Sequence, residues 1–206
     1  MINSKQDLIK CLKIDLYRNT GSYSKKQMIK TFLNLNSQIS LLLHFRVCQY
    51  YALQKKKNPF QFICHSLFYL RFIKLQSRCG IELNQRTDIG YGLRLPHKGC
   101  IVIHPLVKIG NYCEIMQGVT IGNNILKDRD AVAQIGDNVM ICAGAKIIGG
   151  VSIGNGAIIG ANSVVNKDIA DSMIVAGAPA RNIKKNDNMA YLINCGGFDE
   201  ERSNGD

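Results

Sequence analysis

Two histidines, His97 and His104, lie beyond residue 80 of this 206-residue chain and are its clearest candidates for chemistry. The imidazole titrates near neutral pH, so it can take the proton of a hydroxyl group and act as a general base. A catalytic zinc ion is usually held by three protein ligands, and a three-histidine site would need one more imidazole than this region holds. The residues therefore favour acid–base chemistry without a metal.

Eight cysteines are scattered along the chain without a Cys-X-X-Cys pair. They predict ordinary buried thiols, with neither a zinc site nor a disulfide framework. The N-terminus lacks the apolar run of a secretory signal, and no run of 18 apolar residues could form a spanning helix. We therefore expect a cytoplasmic protein.

An aliphatic residue that recurs every six positions defines the elements that must position these histidines. A period of six fits a short strand followed by a tight turn, with three such units closing one triangular coil. The repeat occupies Leu83, Ile89, Leu95, Ile103, Ile109, Ile115, Ile121, Ile135, Ile141, Ile147, Ile153, Ile159 and Val165. It predicts a mainly β protein whose stacked coils, about four of them, bury one aliphatic residue on each face.

The six-residue spacing widens at two places, and each marks chain that leaves the regular coil. One interval contains eight residues and places two extra residues around positions 96–99, beside His97. Another contains fourteen and predicts a loop over residues 123–133. Loops carried on a rigid scaffold often hold functional residues, so we expect the site at these two breaks.

Residues 83–185 resemble the left-handed parallel β-helix acyltransferases, and within them the serine acetyltransferase branch. The segments that carry the resemblance are Ile89-Gly90-Tyr91-Gly92-Leu93, His97-Lys98-Gly99-Cys100-Ile101-Val102, Gln117-Gly118-Val119-Thr120-Ile121-Gly122, Gly144-Ala145-Lys146-Ile147, Gly160-Ala161-Asn162-Ser163-Val164-Val165 and Ala176-Gly177-Ala178-Pro179-Ala180-Arg181. The resemblance implies a left-handed coil, a homotrimer or a dimer of trimers, and acetyl transfer from acetyl-coenzyme A to a hydroxyl group. His97 matches the family's catalytic histidine, so we expect it to be the general base, with His104 as the alternative.

The resemblance also implies where the two substrates bind. Coenzyme A would lie in a groove between neighbouring subunits, against Gly122, Asn123, Ala143, Gly144, Ala161, Arg181, Lys184 and Lys185. Small residues let pantetheine approach the backbone, and the cations can meet the nucleotide phosphates. Coil-corner geometry is the alternative reason for the small residues, and a solvated basic tail is the alternative for the cations. We expect Gln117, Asp128, Arg129 and Asp130 to contact the acceptor.

Two departures from the family concern that acceptor. An aspartate precedes the catalytic histidine in serine acetyltransferases, where this chain has Pro96. A second histidine is expected on the loop, and residues 127–133 contain none. From these losses we expect a sugar hydroxyl as acceptor, as in surface-polysaccharide O-acetyltransferases, which have similar basic helical N-terminal parts. Serine O-acetylation is the alternative, and an inactive β-helix scaffold is the second.

The first 80 residues carry the positive charge, with 14 Lys and Arg against two acidic residues. Capping motifs that begin at Ser4, Ser24 and Asn58 predict helices. The second runs to about residue 54 and ends at Lys55-Lys56-Lys57, and the third is an apolar helix over 59–79. This last helix either packs against other helices or another subunit, or contacts the anionic inner face of a membrane.

No basic patch interleaved with aromatic residues is present, so we expect no nucleic-acid partner. The composition divides the chain into a basic α-helical region at 1–80, a β-helix acetyltransferase domain at 81–185, and a C-terminal tail at 186–206.

Overall fold

A computed structural model describes residues 2, 4–54 and 58–187. In these residues helices come first and strands follow. The helices are α1 (Lys5–Thr20), α2 (Lys25–Leu33), α3 (Gln38–Leu53) and α4 (Pro59–Cys79). Reciprocal side-chain caps begin α1 at Ser4 and α4 at Asn58, and α4 ends where Gly80 adopts a left-handed φ of 62°. The predicted bounds of α4 are therefore confirmed.

The segment that begins at Ser24 is divided in two, where the sequence predicted continuous helical spacing to about residue 54. The side chain of Asn34 accepts a hydrogen bond from the backbone N–H of Asn36 at 2.9 Å, and this local turn competes with the helix. Ser37 then caps a new helix by accepting from the N–H of Ile39 at 3.2 Å. The predicted stop at residues 55–57 lies outside the described residues.

The strands form three sheets, one for each face of a triangular β-helix. Sheet I contains β1 (Ile81–Leu83), β3 (Ile101–Ile103), β6 (Thr120–Gly122), β9 (Lys146–Ile148) and β12 (Val164–Val165). Sheet II contains β2 (Asp88–Ile89), β4 (Lys108–Ile109), β7 (Gln134–Ile135) and β10 (Ser152–Ile153). Sheet III contains β5 (Glu114–Ile115), β8 (Met140–Ile141), β11 (Ile158–Ile159), β13 (Met173–Ala176) and β14 (Arg181–Lys185). The described strands pair in parallel, except that β14 returns antiparallel to β13.

The predicted aliphatic repeat forms the core of this β-helix. Every repeat position is buried, and the stacked strands keep them in register, as Ile109 pairs with Ile135 and Ile115 with Ile141. Sheet I has five rungs in the described residues, one more than the four coils that the spacing predicted. The thirteen repeat positions make four coils at three per coil, and the remaining position, Val165, lies in this fifth rung.

Both predicted breaks in the repeat are present. Seven residues separate Arg94 from Val102 in the first coil, whereas five separate their register partners Glu114 and Thr120 in the second. The two extra residues therefore fall at the corner where sheet III passes to sheet I. The loop at residues 123–133 leaves the coil between β6 and β7, at the corner where sheet I passes to sheet II.

The helices are joined to the first coil through a buried ion pair. The Nε atom of Arg46, in α3, lies 2.7 Å from the carboxylate of Asp15, in α1, and both side chains are fully buried. Arg46 also donates to the carbonyls of Ile89, at 2.6 Å, and Gly90. Asp15 accepts from the N–H of Gly92 at 2.6 Å. The pair thus connects two helices to the backbone of one corner.

Helix α4 presents a large apolar face to solvent. Its exposed apolar side chains are Phe60, Phe62, Ile63, Leu67, Tyr69, Leu70 and Ile73, and Phe60 alone is 71% exposed. Apolar surface of this extent on one helix usually marks an interaction surface.

Candidate active site

His97 lies on the widened corner of the first coil, between sheet III and sheet I. Its side chain is exposed, and within the described part of the chain it has no hydrogen-bond partner. The corner turns through Gly99, with φ of 110°, and Cys100, with φ of 53°. The Gly99 N–H donates to the carbonyl of Cys79 at 2.9 Å, and the Gly99 carbonyl accepts from Gly118 at 2.9 Å. The corner is therefore anchored beside the histidine while the imidazole points free.

Four of the predicted binding residues stack at the same corner in the coils that follow. The carbonyl of Gln117 accepts from the N–H of Gly144 at 2.9 Å, and the carbonyl of Ala143 accepts from that of Asn162 at 2.8 Å. Ala161 precedes Asn162 at this corner in the next coil. The small residues leave the backbone open, so an extended pantetheine chain can lie along the column next to His97.

The outer face of sheet I borders this column and carries polar groups that the sequence did not single out. Outward-facing Glu82, Val102, Thr120, Lys146 and Val164 follow one another from rung to rung. Lys146 donates from Nζ to the hydroxyl of Thr120 at 3.1 Å and to the carbonyl of Gly118. Glu82 lines an open recess of about 430 Å³ between α4 and the first two strands of the sheet. The alternation of the strands identifies such residues only once the register is known.

The other predicted residues lie at the opposite edge of sheet I. Gly122 ends β6 and Asn123 begins the loop, so five residues at about 3.3 Å each place this edge roughly 16 Å from Gly118. Asp128 lines a cavity of about 350 Å³ beneath the loop, and Arg129 and Asp130 are exposed. One chain therefore does not bring the loop to His97.

The predicted phosphate-binding cations are also divided. Arg181 lines a recess of about 260 Å³ at the last coil together with Lys167, a cation that sequence reasoning missed. Lys184 and Lys185 lie further along β14, where they pair with Ile174 and Met173. Only Arg181 of the predicted three lines this recess.

His104, the alternative general base, lies at the corner between sheets I and II. Its Nδ1 accepts a hydrogen bond from the N–H of Leu106 at 3.3 Å, so that this atom has a structural partner. His44 packs between Phe32 and Phe68 among the helices, and burial lowers its pKa.

The cysteines agree only partly with the prediction of buried thiols. Cys11, Cys48, Cys79 and Cys113 are buried, but Cys100 is exposed because it turns the widened corner; Cys195 lies outside the described residues. No group of three or more His, Cys, Asp or Glu side chains in the described residues is arranged to hold a metal ion. None of the helices in these residues is long and apolar enough to cross a membrane.

Comparison with known proteins first identifies the protein family. Residues 133–167 match the family model described as bacterial transferase hexapeptide (six repeats). The chain is 34% identical over 144 residues to a serine acetyltransferase of Helicobacter pylori and covers 81% of that protein and 69% of its own length. It therefore belongs to the serine acetyltransferase family of hexapeptide-repeat transferases.

Two further relatives support the fold and show how much of each protein this chain matches. Serine acetyltransferase 2 of Arabidopsis thaliana is 35% identical over 156 residues, which are 72% of this chain and 46% of that protein. A solved serine acetyltransferase in complex with CoA is 26% identical with a TM-score of 0.66, and the match covers 87% of this chain and 71% of that one. The left-handed parallel β-helix preceded by helices is thus confirmed. The chain spans about half the length of several curated relatives that it matches.

The expected sugar acceptor is wrong. The relatives are serine acetyltransferases, and the expected closeness to polysaccharide O-acetyltransferases has no support among them. The prediction relied on the missing aspartate before His97 and the missing loop histidine. Absent side chains do not define an acceptor, because other positions of the chain can supply the charged groups that bind an amino acid.

Proposed function

We propose that this chain transfers the acetyl group of acetyl-coenzyme A to the hydroxyl of L-serine. The observation that carries the proposal is an exposed histidine, His97, on an anchored corner in a chain of the serine acetyltransferase family. The imidazole takes the hydroxyl proton as the serine oxygen attacks the thioester carbonyl. The C–S bond then breaks, the imidazolium returns the proton to the thiolate, and O-acetylserine and coenzyme A leave.

L-Serine carries a carboxylate and an ammonium group, so its site needs charges of both signs. Beside the corner of His97 the outer face of sheet I offers Lys146 and Glu82, and the loop of a neighbouring copy offers Arg129 with Asp128 and Asp130. We assign acceptor binding to these groups together with Gln117. Their mixed charge suits a zwitterion better than a neutral sugar.

Coenzyme A is assigned to a groove between two subunits. The corner column of Ala143, Gly144 and Ala161 supplies one wall, and the edge with Gly122 and Asn123 of a neighbouring copy supplies the other. The separation of about 16 Å between these edges supports this division, since one chain cannot close around the coenzyme. Arg181 is positioned for the nucleotide phosphates, with Lys184 and Lys185 further along the same strand.

The assembly that we propose is a homotrimer, or a dimer of trimers, in which neighbouring copies form such a groove. The apolar face of α4 supports a role for residues 1–80 in subunit contact. The same face, together with the positive charge of this region, would also suit contact with an anionic membrane. Of the two roles, we propose subunit contact. In this division residues 81–185 form the catalytic domain and residues 186–206 the tail, in a cytoplasmic enzyme.

The test is release of coenzyme A from acetyl-coenzyme A in the presence of L-serine. His97→Ala should lower kcat by roughly 100-fold or more, the usual scale for a lost general base, while the affinity for coenzyme A stays unchanged. His104→Ala is the matched control and should retain activity within about twofold, because its imidazole has a structural partner. Full activity of His97→Ala, or loss of activity in His104→Ala alone, would reject the assignment.

A further inference from the structure

Side chains from the helical region contact both neighbours of His97, one at its backbone carbonyl and the other at its side chain. The amide of Gln38 donates from Nε2 to the carbonyl of Pro96 at 3.2 Å. Asn36 accepts from the ammonium of Lys98 at 3.0 Å. The contacts come from Asn36, which lies between α2 and α3, and from Gln38, the first residue of α3. The helices thus act on the residues next to the proposed base without touching the base itself.

Gln38 has the most direct hold on the direction of the imidazole. The ring of Pro96 fixes its own φ near −65°, so the main freedom left at this residue is rotation of its carbonyl. The Gln38 amide restrains that carbonyl, and the planar peptide that follows then places the N and Cα atoms of His97. One hydrogen bond therefore restrains the last free backbone torsion before the histidine.

The corner needs this support because it is two residues longer than the corner above it. In the next coil the carbonyl of Gln117 is paired with Gly144, within the ladder between coils. The carbonyl of Pro96 instead finds its partner in a helix. On the preceding side, Asn19 accepts from the N–H of Leu95 at 3.0 Å, which fixes where the corner begins.

We infer that Gln38 is a positioning residue for His97 and orients it through the backbone. In this chain Pro96 precedes the histidine, so no carboxylate at that position can orient it. The inference rests on the proposed function for its kinetic consequence. Misplacement of a catalytic group by about 1 Å can cost up to about 100-fold in rate. A loosened corner shifts the average position by less, so we expect kcat to fall about tenfold.

The chain offers a matched control in Gln49, which lies in the same helix, α3. Its amide donates to the carbonyl of Thr87 at 2.9 Å, so it too joins the helix to the backbone of the first coil, but at another corner. Gln49 also contacts Arg46. Gln49→Leu should therefore lower Tm at least as much as Gln38→Leu does, while leaving kcat within about twofold of wild type.

The experiment compares Gln38→Leu, Gln38→Glu and Gln49→Leu in the full chain. Gln38→Glu keeps the shape of the side chain but replaces the donor with an acceptor, so it should lower kcat as Gln38→Leu does. The KM for acetyl-coenzyme A should stay within about twofold in all three, since a positioning role separates kcat from coenzyme binding. Equal kcat in Gln38→Leu and Gln49→Leu would overturn the inference, whether both fall or neither does.

A second readout is independent of activity. The Hε1 proton signal of His97 in NMR, assigned by its absence in His97→Ala, should move towards its unfolded-chain position in Gln38→Leu and stay unchanged in Gln49→Leu. An unmoved signal in Gln38→Leu would also overturn the inference. If wild type fails to acetylate L-serine, the proposed function is wrong, and this readout still decides whether Gln38 orders His97.

Discussion

The buried pair of Asp15 and Arg46 makes a quantitative prediction about what holds the helices on the β-helix. Asp15→Ala leaves the guanidinium fully buried without its counter-charge, and two backbone N–H groups, those of Gly92 and Leu93, lose their acceptor. Breaking a buried ion pair from one side costs about 3–5 kcal/mol of unfolding free energy. For a chain of this size each kcal/mol lowers Tm by about 2–4 °C, so we expect a fall of roughly 10 °C.

The assay is urea unfolding followed by circular dichroism, with the double variant Asp15→Leu/Arg46→Met as the internal comparison. The double variant removes both charges, so it should lose less free energy of unfolding than Asp15→Leu alone. It still leaves the carbonyls of Ile89 and Gly90 without a donor and should not reach wild type. A change below about 1 kcal/mol in Asp15→Ala would refute the view that this pair fastens the two regions.

Three other perturbations follow from the geometry. Replacing residues 125–130 with a Gly-Ser linker should raise the KM for L-serine several-fold. The coil should stay folded, since the loop makes many of its hydrogen bonds within itself. An unchanged KM would mean that the loop does not reach the acceptor. Tm should fall as the pH drops from about 7.5 to 5.5, because burial lowers the pKa of His44 and the unfolded chain, with a histidine pKa near 6.5, takes up the proton more readily. His44→Gln should flatten this dependence of Tm on pH, and an equally steep profile in the variant would exclude His44 as its source. Iodoacetamide should label exposed Cys100 in the native protein but spare Cys113, since burial raises the pKa of Cys113 to about 12. Equal labelling of the two cysteines would mean that the coil opens in solution.

The β-helix was predictable because its pattern is local and repeated. Each aliphatic position, such as Ile109 or Ile135, is buried by the same six-residue rule, and its neighbours above and below obey that rule too. The two breaks were predictable for the same reason, since an interval of eight or fourteen residues is visible against a regular background. The fifth rung at Val164–Val165 contains the last position of the repeat, because thirteen positions at three per coil exceed four coils by one.

The surroundings of His97 were not predictable from spacing, because they are contributed by residues far away along the chain. Gln38 lies 58 positions before Pro96, and its role depends on how α3 docks on the first coil. The division of the binding residues between two edges of sheet I was also hidden, since Gln117 and Asn123 are close in sequence but separated by a strand. The acceptor was predicted wrongly because missing groups were given more weight than the ordered set of motifs that remained.

Within the described residues no coil lies beneath the first one, whose backbone would otherwise present an open strand edge. Side chains of the helices occupy that edge instead: Arg46 meets the carbonyls of Ile89 and Gly90, Asn19 meets that of Leu93, and Gln49 meets that of Thr87. An unpaired edge is a template for another chain and a common origin of aggregation. The helices therefore act as a lid against end-to-end growth, and the β-helix cut free at residue 81 should polymerise rather than remain a small soluble domain.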